Sequence, residues 1–237
     1  WTLQGPENFA LAGAGGLLSF WSPSGDAAWT SRYAIHGAVA DRGDEVISLC
    51  GFFGANRVLS GSVRGVLPLW EGRNARSSVK AHDGAIDSLS LEKSAKKLVT
   101  GSADGFAKVW SHDLALLLKV DLKATSVRSP HVRSACLRAD GAALLVGTAS
   151  CELLEVAAVA AENEDEEVGG RIGDELNGGV IVPAPSGGGA VAALAVHPES
   201  PEFVTASDEG LVRVYDTVTK KALRSLVLGA PCRALVI

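Results

Sequence analysis

Short apolar runs recur along the chain, each closed by a cluster of turn formers, and no run approaches the roughly 18–20 apolar residues that span a bilayer. Lys97-Leu-Val-Thr-Gly-Ser102 is followed by Ala103-Asp-Gly105 and then by the alternating Phe106-Ala-Lys-Val-Trp110. An apolar run, a Gly-containing turn and an alternating run predict antiparallel strands joined by tight turns. For this stretch the predicted strands are Ala85–Leu91, Lys97–Ser102, Gly105–Ser111 and Leu114–Val120.

The same phrase repeats. Arg57–Trp70 aligns with Lys97–Trp110, and the frame continues in Ala143–Val156 and Glu202–Tyr215, with a shorter copy over Phe9–Trp21. The closing positions 21, 70, 110, 156 and 215 are separated by 49, 40, 46 and 59 residues. A period near 40–45 with four short strands per unit is the mark of a β-propeller. The predicted fold is therefore all-β: about four full four-stranded blades with partial blades at both ends. The expected blades are 1–43 (partial), 44–81, 82–124, 125–189, 190–229 and the first strand of another at 230–237. The long fourth interval contains an insertion, 161–189, rich in Glu, Asp, Gly and Pro, which cannot bury enough apolar surface to order itself. Val180-Ile-Val182 is the one strand expected there, at its blade's outer edge. Twenty strands are expected in all, too few for a large closed ring. With Trp at position 1 and no Met, the chain reads as a piece of a longer protein.

Charge modifies this picture locally. The net charge is −5, but Glu162–Glu175 holds seven acids against the single base Arg171, so the remaining chain is nearly neutral. That gives no broad nucleic-acid footprint. Four cysteines without a C-x-x-C pair argue against a zinc site or a redox motif, and with no leader sequence a reducing, cytoplasmic setting is expected. Cys50, Cys136 and Cys232 are expected in first strands of their units as small buried residues.

Ala81-His-Asp-Gly84, Thr100-Gly-Ser-Ala-Asp-Gly105 and Lys108-Val-Trp110 resemble the WD-repeat family, although Ser111 stands where that family has Asp. The resemblance implies a buried, structural hydrogen-bonded set of His82, Ser102, Asp104 and Trp110. Other units are degenerate: Glu209 and Tyr215 replace Asp and Trp in one, Ser150 and Val156 in another. Val132-Arg-Ser-Ala-Cys, Leu145-Val-Gly-Thr148, Glu152-Leu-Leu-Glu155 and Leu194-Ala-Val-His-Pro198 resemble, in that order, the echinoderm microtubule-associated protein-like (EMAP-like) family. Val191-Ala192 departs from the usual Trp-Gly. That resemblance implies tubulin or microtubules as partner and a cytoskeletal or ciliary setting. The alternative is a general WD-repeat scaffold for other proteins.

Catalytic and ligand motifs are weak. Gly13-Ala-Gly15-Gly16 lacks the third glycine and following helix of a dinucleotide loop and reads as a turn between strands. No nucleophile elbow is present, and the five histidines show no metal-ligand spacing. His197 before Pro198 reads as a strand-closing turn residue and His112-Asp113 as a solvated turn. No enzyme activity, cofactor, metal, nucleic acid, membrane or small-molecule substrate is expected. Arg57, Arg64, Arg73, Arg76 and Lys80 are the candidate contact residues for an acidic protein partner.

Overall fold

A computed structural model describes residues 9–13, 17–24, 28–35, 44–50, 57–92, 96–125, 127–157, 180–182, 189–233 and 235. It is all-β. The described residues form five antiparallel sheets in chain order, with the architecture of β-propeller blades. The first sheet has three strands, β1 (Phe9–Gly13), β2 (Leu17–Ser24) and β3 (Ala28–Ile35). Gly13 pairs with Leu17, so the glycine-rich run joins two strands of one hairpin, its interior lying outside the described residues.

Four four-stranded sheets follow. They are β4 (Val46–Cys50), β5 (Arg57–Ser62), β6 (Val66–Glu71) and β7 (Asn74–Lys80); then β8 (Ile86–Leu91), β9 (Lys97–Ser102), β10 (Phe106–Ser111) and β11 (Leu116–Asp121). Next come β12 (Val132–Leu137), β13 (Ala143–Thr148), β14 (Leu153–Ala157) and β15 (Val180–Val182); last are β16 (Val191–Val196), β17 (Glu202–Ser207), β18 (Leu211–Asp216) and β19 (Ala222–Val227). Strands within each sheet are ordered as in the chain, as hairpin connections dictate.

Two differences from the sequence expectation have local causes. β11 begins at Leu116, not Leu114, because Leu114 takes φ 65° in the turn after Ser111 and the register slips beside Trp110. Cys232, Arg233 and Leu235 lie outside any strand, so Cys232 is not in a first strand; its N–H donates to Ser207 O at 3.3 Å. Ala234, Val236 and Ile237 lie outside the described residues, as does most of the acidic insertion. β15 is the outer strand of its sheet, with Leu154 opposite Val180.

The chain divides into two compact units, Trp1–Leu89 and Ser90–Ile237, the division falling within β8. In the second unit the sheets stack face to face. Val99, Val109, Leu118 and Val120 meet Leu144, Val146, Leu154 and Val156 in one apolar layer, and Leu145 and Leu153 meet Phe203 and Tyr215 in the next. Each layer removes most of its side-chain area from water, the main stabilising term for such sheets.

Close approach of successive blades needs a small residue on the second strand. A Cβ added to Gly147 on β13 would lie 2.6 Å from both Ser134 Oγ and Val191 Cγ1. Ser134 Oγ in turn donates to Val191 O at 2.8 Å, tying β12 to β16. The first unit repeats the device: Ser48 Oγ donates to Ile86 O at 2.6 Å, and a Cβ on Gly61 would lie 2.8 Å from Ile86 Cγ2.

Gly147→Ala is expected to lower stability by about 1–3 kcal/mol in urea unfolding, through overpacking against Val191. Gly72→Ala, whose Cβ meets nothing within 4 Å, is the control. Its cost is about 1 kcal/mol, from φ +59° alone. Equal losses at the two positions would show that the blade contact is loose.

Candidate functional site

The residues that hold each blade together are set by strand alternation. Trp70 Nε1 donates to Ser60 Oγ and Trp110 Nε1 to Thr100 Oγ1, each at 2.9 Å and each buried. Trp110 stands opposite Leu98 in the β9–β10 register, so Thr100, one step along the same face, is its diagonal neighbour. Ser102 is two steps away, beyond the reach of the indole. The partner of Trp110 is therefore Thr100 and not the Ser102 expected from the resemblance. Ser102 Oγ instead accepts the N–H of Asp104 at 3.1 Å, and Asp104 Oδ1 accepts that of Phe106 at 3.0 Å, bracing the turn at Gly105. His82 is 2% exposed in the first unit, and its N–H donates to Gly65 O at 3.0 Å. A hydroxyl ten residues before Trp recurs at 60/70 and 100/110; that spacing was the available signal for the pair.

The five candidate basic residues, all in the first unit, separate into two groups. Arg57 on β5 and Arg76 on β7 flank Glu71 at 3.6 and 2.8 Å, and Arg73 sits in the adjoining turn. The Arg76 guanidinium, bonded to Glu71, holds that carboxyl below its ordinary value. Arg64 and Lys80 lie at the other end of the sheet: Lys80 Nζ donates to Arg64 O, and the Arg64 N–H donates to Asp44 Oδ1 at 3.0 Å. The length of β6, about 17 Å, separates the two groups. A linear count of basic residues does not reveal that separation or the neutralising role of Glu71.

In the second unit, an ion network links the last two blades. Glu155 on β14 accepts Arg138 Nη1 at 2.8 Å and is ion-paired with Lys220 from the turn between β18 and β19. Asp140 pairs with the same arginine, which holds its carboxyl below the ordinary value. Glu152, buried on the β13–β14 turn, accepts the Arg128 N–H at 3.0 Å and the Ser150 hydroxyl. Glu152 and Glu155 enter the sequence analysis only as part of a family phrase, and Asp140 not at all, because along the chain each looks like an ordinary solvated charge.

The remaining motif residues have structural surroundings. His197 Nδ1 accepts the N–H groups of Glu199 and Ser200 at 3.1 and 2.8 Å, closing the turn after β16. His112 and Asp113 pair at 2.9 Å with both side chains exposed. Cys136 is buried and its thiol is pushed up to about 12 by burial, which leaves it protonated and unreactive at neutral pH. Among the described residues no group of three or more His, Cys, Asp or Glu is placed to hold a metal ion.

Residues 74–111 and 182–216 match the family "WD domain, G-beta repeat" (WD40). The chain carries WD40 repeats. The first match covers β7 to β10, with the Trp110–Thr100 pair, and the second covers β15 to β18. The chain is similar to "Ribosome biogenesis protein YTM1" of Podospora anserina, 26% identical over 118 residues, which is 46% of this chain and 23% of that protein. It is also similar to human "WD repeat-containing protein 3", 38% identical over 71 residues, 28% of this chain and 8% of that protein. The matches thus span less than a quarter of either relative. Neither is of the EMAP-like type, so the finer resemblance gains no support from them.

Trp110→Phe removes the indole N–H that the buried Thr100 hydroxyl accepts and is expected to cost about 1–3 kcal/mol, read by chemical denaturation. Thr100→Val in the Trp110→Phe background is expected to cost less than Thr100→Val alone, because the shared hydrogen bond is already gone. For Asp140, a folded value below the unfolded one means stabilisation that is present above the ordinary carboxylate value of 3.8 and lost as pH falls through the folded value. Asp140→Asn is therefore expected to lower the melting temperature at pH 7, modestly because the pair is half-exposed, and to converge on the wild type as pH falls well below about 4, which flattens the acid limb of the profile. An unchanged acid limb would show that the pair contributes nothing.

Proposed function

We propose that this chain is a non-catalytic protein-interaction scaffold. The observation that carries the reading is a braced stack of WD40-type blades whose outer strands β7 and β19 lie at sheet edges, almost wholly exposed. An exposed edge offers unpaired N–H and C=O groups and a row of side chains to an extended partner segment. The name of the Podospora relative, a ribosome biogenesis protein, suggests ribosome biogenesis as the setting.

Binding to tubulin through Arg57, Arg64, Arg73, Arg76 and Lys80 is the second reading, supported by the EMAP-like phrases. The division of those residues and the engagement of Arg57 and Arg76 by Glu71 weigh against one strong footprint.

The test is quantitative affinity purification of the tagged protein from cell extract, with co-pelleting on stabilised microtubules in parallel. Stoichiometric protein partners that include ribosome-assembly factors, with no pelleting, are the expected result. Salt-sensitive pelleting lost in Arg57→Glu/Arg76→Glu would replace that setting by the microtubule one. No partner above the level of a denatured control would sink the scaffold reading.

A further inference from the structure

Each four-stranded sheet ends in an outer strand whose far edge pairs with no other strand among the described residues, and in three of the four that edge is blunted. β7 carries Arg76 and Lys80, β11 carries Lys119 and Asp121, and β15 is only three residues long. Charge and shortness are the usual guards against pairing with a foreign strand. β19 has neither. It runs for six residues, Ala222-Leu-Arg-Ser-Leu-Val227, all of them exposed, with Arg224 as its one charge. Leu223, Leu226 and Val227 are 50%, 59% and 76% exposed.

The edge is also complementary to itself. Leu228, the residue after β19, donates its N–H to Gly210 O at 2.7 Å, so Leu226 likewise turns its backbone groups toward β18, while Ser225 and Val227 turn theirs to the open side. Two copies of one edge pair antiparallel about a twofold axis perpendicular to the sheet. Facing side chains must share a face, so that axis passes through a residue. The two registers that pair five of the six residues place the axis at Arg224 or at Ser225. At Arg224 two guanidinium groups would face each other, which is destabilising. At Ser225 two small hydroxyl side chains face, Arg224 stands opposite Leu226, and Leu223 stands opposite Val227. No like charges meet there, and the apolar pair forms twice.

We propose that β19 is the seat of a second copy of this chain, two last blades joining edge to edge into one eight-stranded antiparallel sheet centred on Ser225. Ser225 N–H donates to the backbone oxygen of the partner's Ser225 and the reverse, while Leu223 packs beside the partner's Val227. The contact is smaller than a standard interface, so a reversible dimer with Kd between about 1 µM and 1 mM is expected. The dimer names an occupant for one of the two edges in the scaffold reading, and rests on that reading only for the edge being open to a strand.

The test is sedimentation equilibrium of the full chain under reducing conditions, where a monomer–dimer equilibrium is expected. Leu223→Lys with Val227→Lys gives this edge the kind of guard that β7 has, at positions exposed in the monomer. That variant is expected to weaken the dimer by about tenfold or more at an unchanged melting temperature. Cross-linking reads the register. In Ser225→Cys the two new thiols lie across the axis with Cα atoms about 5.5 Å apart, within disulfide reach, so mild oxidation is expected to give a covalent dimer above the wild-type background. In Val227→Cys the two copies of that residue lie about 14 Å apart along the strands and are expected to stay at the background.

A chain that stays monomeric up to about 1 mM, a lysine variant that associates as tightly as the wild type, or cross-linking at Val227 equal to that at Ser225 would overturn the proposal. The two readings fail separately. A monomer that captures other proteins in the affinity purification above overturns the dimer and leaves the scaffold standing. A dimer of the stated register that captures no other protein supports this inference and fails the scaffold reading.

Discussion

The close contact of a second-strand glycine with the first strand of the next sheet is the constraint on which the stack depends. At Gly147 the absent side chain lets Val191 sit on the backbone of β13, and Ser134 uses the same closeness to reach Val191 O at 2.8 Å. Apolar contact and hydrogen bond need each other. Without the glycine the strands stand too far apart for the hydroxyl, and without the hydroxyl a buried carbonyl lacks that donor. The apolar layer from Cys136 to Tyr215 packs between the same two sheets as this contact. In the last blade the corresponding residues are Ala206 and Ala193, so neither half of the device is present there.

Farther out, the blades are joined by charges and by the nature of their edges. Arg138, Glu155 and Lys220 bridge the third and fourth blades, where partial burial of Glu155 strengthens pairing that would be weak in water. Edge strands differ in what they present. β7 carries Arg76 and Lys80, the kind of charge that discourages strand-to-strand association, whereas β19 exposes Leu223, Leu226 and Val227, the last at 76%. The edge of β7 is thus guarded against strand association, and that of β19 is not.

Departures from the repeat carry as much meaning as matches to it. Cys151 takes φ 64° where Gly65, Gly105 and Gly210 hold the equivalent turn, so the third blade accepts a left-handed non-glycine residue at a cost of about 1–2 kcal/mol. In the fourth blade Tyr215 stands in the place of the indole and stacks on Phe203 instead.

The amino-acid sequence by itself determined the strands, their antiparallel hairpin order and the blade period. Alternation and turn residues act within a few positions of each other, and β9 and β10 follow from Lys97–Ser102 and Phe106–Ser111 alone. It also held the ten-residue spacing of Thr100 and Trp110, although not the knowledge that this pair outcompetes Ser102. Only the tertiary structure decided which faces meet, and hence which charges are paired. The five basic residues of the first unit form one group along the chain and two in space, because a strand about 17 Å long lies between them. Glu155 and Lys220, 65 positions apart, become partners only when two sheets stack. Local sterics write the strands into the sequence, whereas contacts between sheets depend on packing over distances that no local pattern encodes.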